Sequence, residues 1–158
     1  MSRTAPAALS VGHVHLRVSD LDRSVAFYRD VMGFEVQARM RGAAFLGAGG
    51  YHHHLGLNVW DSRGAGPAPR GHPGLYHVAF LYPTRDDLRD AARRVRDAGV
   101  DFYGHADHGV SLALYFDDPD GNGIEIYWDR PRADWPRDAA GGIAMRNDRF
   151  DLAGFLAG

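Results

Sequence analysis

The chain has 158 residues, 45% hydrophobic and 24% charged, with a formal net charge of -2; this is an ordinary globular composition that suits one compact domain or two small fused modules, with no basic excess to draw nucleic acid or an anionic membrane. It contains neither Cys nor Lys, so disulfides, thiolate ligands, thiol nucleophiles and Lys Schiff bases are excluded, and what remains for chemistry is nine His, two Glu and the Asp, Tyr and hydroxyl side chains. No run approaches the roughly 20 apolar residues of a membrane span, and residues 1–10 lack a signal-peptide core, so a cytoplasmic protein is the expectation.

Residues 1–10 read as a lead-in to a first module over 11–60. Val11 to Val18 alternates, with His13, His15 and Arg17 on one face and Val14, Leu16 and Val18 on the other, which is a strand with an apolar back and a His-bearing front. Ser19 and Asp20 can cap a helix whose apolar stripe is Leu21, Val25, Tyr28 and Met32, and Gly33 ends it. Phe34 to Met40 and Ala43 to Leu46 read as strands, and Tyr51 to Trp60 as a longer strand carrying His52, His53 and His54. A linker rich in Gly, Pro and Arg over 61–74 follows.

The pattern then restarts in a second module over 75–129. Leu75 to Tyr82 is a strand with His77 on one face, and Thr84 caps a helix with the stripe Leu88, Ala91, Ala92 and Val95, ended by Gly99. Val100 to Tyr103, Ser111 to Phe116 and Gly123 to Asp129 supply three strands, the last two joined by the dense turn Asp117 to Gly123. The echo of Gly12-His13-Val14-His15-Leu16 in Tyr76-His77-Val78-Ala79-Phe80 marks an internal duplication. The expected fold is therefore α+β: two tandem βαβββ modules forming one curved mixed sheet around a central metal site, with the helices outside. Residues 130–158 form a tail whose apolar end, Phe150, Leu152 and Phe155, packs back on the body.

Glu125, one of two Glu residues, sits on the strand Ile124-Glu125-Ile126-Tyr127-Trp128. A carboxylate on a strand built for burial is costly unless it is paired or holds a cation. His13 and His77 open the first strand of each module, and Glu125 lies on the last strand of the second. Two His and one carboxylate suit Fe(II) with positions left open for substrate and O2; Mn(II) is an acceptable substitute, and Zn or Ni are possible by affinity. His15, on the same face as His13, is the alternative ligand or a donor behind it. His13 alone shares the repeat position of His77.

This arrangement resembles the vicinal oxygen chelate superfamily of glyoxalase, bleomycin-resistance and dioxygenase proteins. The second half is similar to the type I extradiol ring-cleavage dioxygenases, whose signature is matched by His108, Leu114-Tyr115, Asp118-Pro119, Gly121 and Glu125. One departure is Ala106, where the signature takes Gly, Asn, Thr, Ile or Val. The resemblance implies that His13, His77 and Glu125 bind the metal and that His108 and Tyr115 hydrogen-bond the diol oxygens. It also implies an acid–base His three residues before a small residue, which selects His53 before Gly56. Simple alternation instead turns His52 and His54 into the cavity, leaving His54 as the rival. Tyr103, Tyr127 and Trp60 are candidates for an aromatic wall, with ordinary sheet packing as the other reading.

The function so implied is an Fe(II)-dependent extradiol dioxygenase cleaving a catechol-type diol with O2, in a homo-oligomer, a dimer or larger. The alternatives are another metalloenzyme of the superfamily, glyoxalase-like or antibiotic-modifying, and a metal-free drug-binding module. A four-ligand glyoxalase site would want a carboxylate on the last strand of the first module, and none occurs before Asp61.

Overall fold

The computed structural model describes residues 4–69 and 71–158. Its first half contains strand β1 (Val14–Arg17), helix α1 (Leu21–Ala26), a π turn (Phe27–Val31), and strands β2 (Glu35–Met40), β3 (Ala43–Gly47) and β4 (Leu55–Asn58). The second half repeats the order with β5 (Val78–Leu81), α2 (Arg85–Asp97), β6 (Gly104–Asp107), β7 (Ser111–Asp117) and β8 (Gly123–Asp129), and a short α3 (Leu152–Ala157) closes the chain. Each module forms a four-stranded mixed sheet, in the orders β1-β4-β3-β2 and β5-β8-β7-β6. The parallel pair of each sheet joins its first strand to its last, Val14 opposite Leu55 and Val78 opposite Ile124. This is the tandem βαβββ architecture of an α+β fold, with the hydrogen-bonded ladders kept within each module.

The caps are local chemistry. The Asp20 side chain accepts from the N–H groups of Asp22 and Arg23, and that of Thr84 accepts from Asp87, satisfying donors that a helix start leaves orphaned. The stripe Leu88, Ala91, Ala92 and Val95 is buried, as are Leu55 and Leu57 of β4 and Ile124 and Ile126 of β8. Each large aliphatic group of this core contributes about 1.5–3 kcal/mol by leaving water.

Four elements differ from the sequence expectation. β4 begins at Leu55, so His52, His53 and His54 lie on the approach to the strand rather than within it. β1 and β5 likewise start one residue after His13 and His77. The strand expected at Val100 to Tyr103 is displaced to Gly104–Asp107: Phe102 is held by the core, its ring 5.7 Å from that of Phe116, and packing outweighs its strand propensity.

The acidic turn of module 2 joins the modules. Asp118, 4% exposed, accepts from Tyr28 Oη at 2.9 Å as well as from the backbone of Asp120 and Asn122. Asp120 accepts from Ser19 N, Ser19 Oγ, Ser24 Oγ and the Arg23 guanidinium. The turn before β8 is thereby fastened to helix α1, which follows β1.

The tail runs across the outer edge of β6, where Asp107 and Asp148 exchange backbone hydrogen bonds at 2.8 and 3.1 Å. Phe155 of α3 is buried, and the Arg89 and Arg93 side chains cap the last carbonyls of α3 from α2. No helix among the described residues is long and apolar enough to cross a membrane.

Candidate functional site

The parallel register of module 2 brings four polar side chains into line. His77 Nε2 lies 2.9 Å from Glu125 Oε2. The Tyr115 hydroxyl, on the neighbouring strand directly opposite Glu125, is 3.2 Å from Glu125 Oε1 and 2.7 Å from His108 Nε2. His108 Nδ1 lies 2.9 Å from the Arg146 carbonyl. The line Arg146–His108–Tyr115–Glu125–His77 is continuous. Burial, reinforced by the adjacent Glu125 carboxylate, pushes the Tyr115 phenol well above its ordinary value, so it keeps its proton at neutral pH. Tyr103 stacks on Tyr115, with ring centroids 6.4 Å apart.

In module 1 the corresponding face carries His13, His15, Phe45, His53 and Trp60. The His53 ring lies 4.6 Å from that of His13 and 5.1 Å from Phe45, and His15 sits between Phe45 and Trp60. His54 turns elsewhere: its Nδ1 accepts from Ala48 N, and its ring faces Tyr51 and Phe34. The alternation argument for His54 presupposed a strand that starts before residue 55, whereas β4 starts at Leu55; His54 nonetheless lines the same cavity as His13, so it stays the rival of His53. Partial burial and the neighbouring imidazoles hold His53 below the ordinary imidazole value.

The duplication is unequal at one position. Ala79 pairs with Glu125 in module 2 as His15 pairs with Gly56 in module 1. A Cβ at Gly56 would meet the His15 ring at 2.9–3.0 Å. Where module 2 has its carboxylate, module 1 has a gap filled by an imidazole. Gly123 is constrained on the other side, since a Cβ there would lie 2.3 Å from the Tyr76 carbonyl oxygen, and its smallness lets His77 approach β8.

The expected ligands fall into two groups. His77 and Glu125 are together, whereas His13 lies with His53 on the other module. Among the described residues no cluster of three or more His, Asp or Glu could hold a metal. The joined pair fits a cation: octahedral donors at about 2.1 Å from an ion are about 3 Å apart when adjacent, which is the observed 2.9 Å. His77 Nδ1 is buried with no hydrogen-bond partner among the described residues. A cavity of about 500 Å³ runs along β1 and β5, lined by His13, His54, Phe34, Phe80 and Arg94 among others.

Two contributors escaped the sequence. The Arg146 carbonyl is a backbone group 38 residues from His108, and nothing in the sequence signals it. The His15–Gly56 contact follows only from the register, although the duplication pointed to the equivalent position.

Residues 10–126 match the model of the Glyoxalase/Bleomycin resistance protein/Dioxygenase superfamily. A catechol-2,3-dioxygenase of Bacillus subtilis (strain 168) is 42% identical over 92% of this chain and 50% of its own length. A biphenyl-2,3-diol 1,2-dioxygenase 3 of Rhodococcus globerulus is 33% identical over 75% of this chain and 63% of its own. The chain thus spans half to two thirds of these relatives. Among solved structures, a glyoxylase/bleomycin resistance protein/dioxygenase domain from Frankia sp. EAN1pec superposes with a TM-score of 0.65, at 25% identity over 78% of this chain and 100% of that one.

Proposed function

The chain belongs to the Glyoxalase/Bleomycin resistance protein/Dioxygenase superfamily, and from that membership we propose that it is an Fe(II)-dependent extradiol dioxygenase, opening a catechol-type ring with O2. The observation that carries this reading is the hydrogen-bonded line from His108 through Tyr115 and Glu125 to His77. It sets a neutral phenol and an imidazole beside a two-donor cation corner, which is what an aromatic diol needs. The names of the two diol-cleaving relatives support the same substrate class.

In this reading Glu125, His77 and His13 hold the metal, Fe(II) or in its place Mn(II). When bound, the metal would supply a common site for diol and O2 and a route for electrons between them. The protein's own residues handle protons and orientation. Tyr115 and His108 contact the diol oxygens. His53, neutral at pH 7 because its proton affinity is lowered, accepts and returns a proton on the O2 side. Trp60 and Phe45 in module 1 and Tyr103 in module 2 present flat apolar faces to a ring.

Since His13 does not join His77 and Glu125 in one cluster among the described residues, we place the complete site between copies: the His face of module 1 in one copy meets the carboxylate face of module 2 in another. β1 and β5 are edge strands of their sheets and line one cavity, and such a homo-oligomer would bring the two polar faces together across copies. A four-donor glyoxalase site is disfavoured, because the matching position of module 1 is Gly56 under His15.

The test is to load anaerobically purified protein with Fe(II), add a catechol, then admit air and follow absorbance. A ring-opened product that requires both Fe(II) and O2 is expected. Stoichiometric metal with no O2-dependent product across a panel of catechols would remove the dioxygenase reading.

A further inference from the structure

We infer that the tail segment Arg146 to Asp148, outside the family match at 10–126, is a positioning element of the site that fixes which nitrogen of His108 carries the proton. The inference rests on the functional reading above only for its consequence, not for its geometry.

A carbonyl oxygen has no proton to give, so at 2.9 Å from Arg146 O the Nδ1 of His108 must donate. In a neutral imidazole the other nitrogen is then a bare lone pair. That nitrogen, Nε2, faces the Tyr115 hydroxyl at 2.7 Å as a second acceptor beside Glu125 Oε1, to which the same hydroxyl donates at 3.2 Å. The segment that supplies the carbonyl is itself held in place. Arg146 N donates to His108 O, and Asp107 and Asp148 bond through both their backbone groups. The Arg146 and Asp148 side chains pair at 3.1 Å. Gly109, at φ +76, lets the turn beneath accept Pro136 and Arg146, since a Cβ there would lie 2.9 Å from Pro136 Cγ and 3.2 Å from Arg146 Nε.

His108 therefore meets the diol as a proton acceptor. A hydroxyl proton moves to Nε2, the electron pair stays on the oxygen, and the resulting imidazolium keeps its second N–H on Arg146 O. Without the tail, the ring is free to take the opposite tautomer and present an N–H, which would contact the same hydroxyl without taking its proton.

The test uses the full-length chain with 15N-labelled histidine at about pH 8, above the ordinary imidazole value of about 6.5. Long-range proton–nitrogen correlations, assigned by loss in His108→Gln, are expected to show a protonated Nδ1 and a bare Nε2. Asp148→Pro, which removes the N–H that bonds Asp107 O, is expected to mix the two tautomers and lower kcat at least roughly 10-fold with little change in KM. Arg146→Ala keeps the carbonyl and should keep the tautomer. A protonated Nε2 in the wild type, or an unchanged tautomer in folded Asp148→Pro, overturns the inference. If Asp148→Pro does not fold, an equal-length Gly-Ser replacement of residues 144–147 takes its place, and the wild-type spectrum decides by itself whether Nδ1 carries the proton. Since the readout needs neither metal nor turnover, a chain with the Nδ1–H tautomer but no ring cleavage loses the functional reading alone.

Discussion

His53 and His54 are neighbours in sequence and strangers in space. One imidazole packs against His13 and Phe45, the other turns to Tyr51 and Phe34. No period could have separated them, because the triplet lies on an irregular approach to β4, where backbone direction is set by contacts rather than by alternation. His77 and Glu125 were legible for the opposite reason: each sits at or beside a regular parallel pair whose register repeats an earlier one. The difference has a direct test. His53→Ala is expected to retain metal and lower the O2-dependent rate by roughly 10²-fold, the usual scale for a lost acid–base group, whereas His54→Ala should change it little. Single-turnover kinetics with metal analysis would show this, and the reverse result would remove His53 from its role.

At the scale of elements, the run Asp117 to Gly123 announced a turn, and a turn is what forms. Its second task, fastening module 2 to helix α1, was invisible because the partners Ser19, Arg23, Ser24 and Tyr28 lie about a hundred residues away. Tyr28→Phe keeps the ring in the core and removes one donor from buried Asp118, so a loss of about 1–2 kcal/mol in urea unfolding is expected. Asp120 adds a pH signature. Burial would raise its carboxyl, but the Ser19 and Arg23 donors outweigh this and hold it below the ordinary carboxylate value. A lowered folded value stabilises above the unfolded value of about 3.9 and is lost as pH falls through the folded one. The stability gap between wild type and Asp120→Asn should thus be constant near neutrality and shrink below about pH 4. β6 shows where local reading stops: Val100 to Tyr103 has the stronger strand composition, yet Phe102 is drawn into the core and the ladder falls to Gly104–Asp107.

For the whole molecule, the duplication gave the architecture almost entire, since two copies of one pattern constrain each other. The relation between the two polar faces was not written in either copy. If complete sites form between chains, two defective variants should rescue one another. His13→Ala and Glu125→Ala, each inactive alone, are expected to recover roughly a quarter of wild-type activity when refolded together, because half of randomly paired dimers are mixed and each mixed dimer keeps one intact site. No recovery, with mixed dimers demonstrated by mass, would place the site within one chain. The inequality between Gly56 and Glu125 bears on such a site in a further way. A frame made by repetition would treat its two halves alike and let a flat guest enter either way round. One acid on one side, facing uncharged rings on the other, breaks that symmetry, so a guest with two unlike ends can lie in only one of its two orientations.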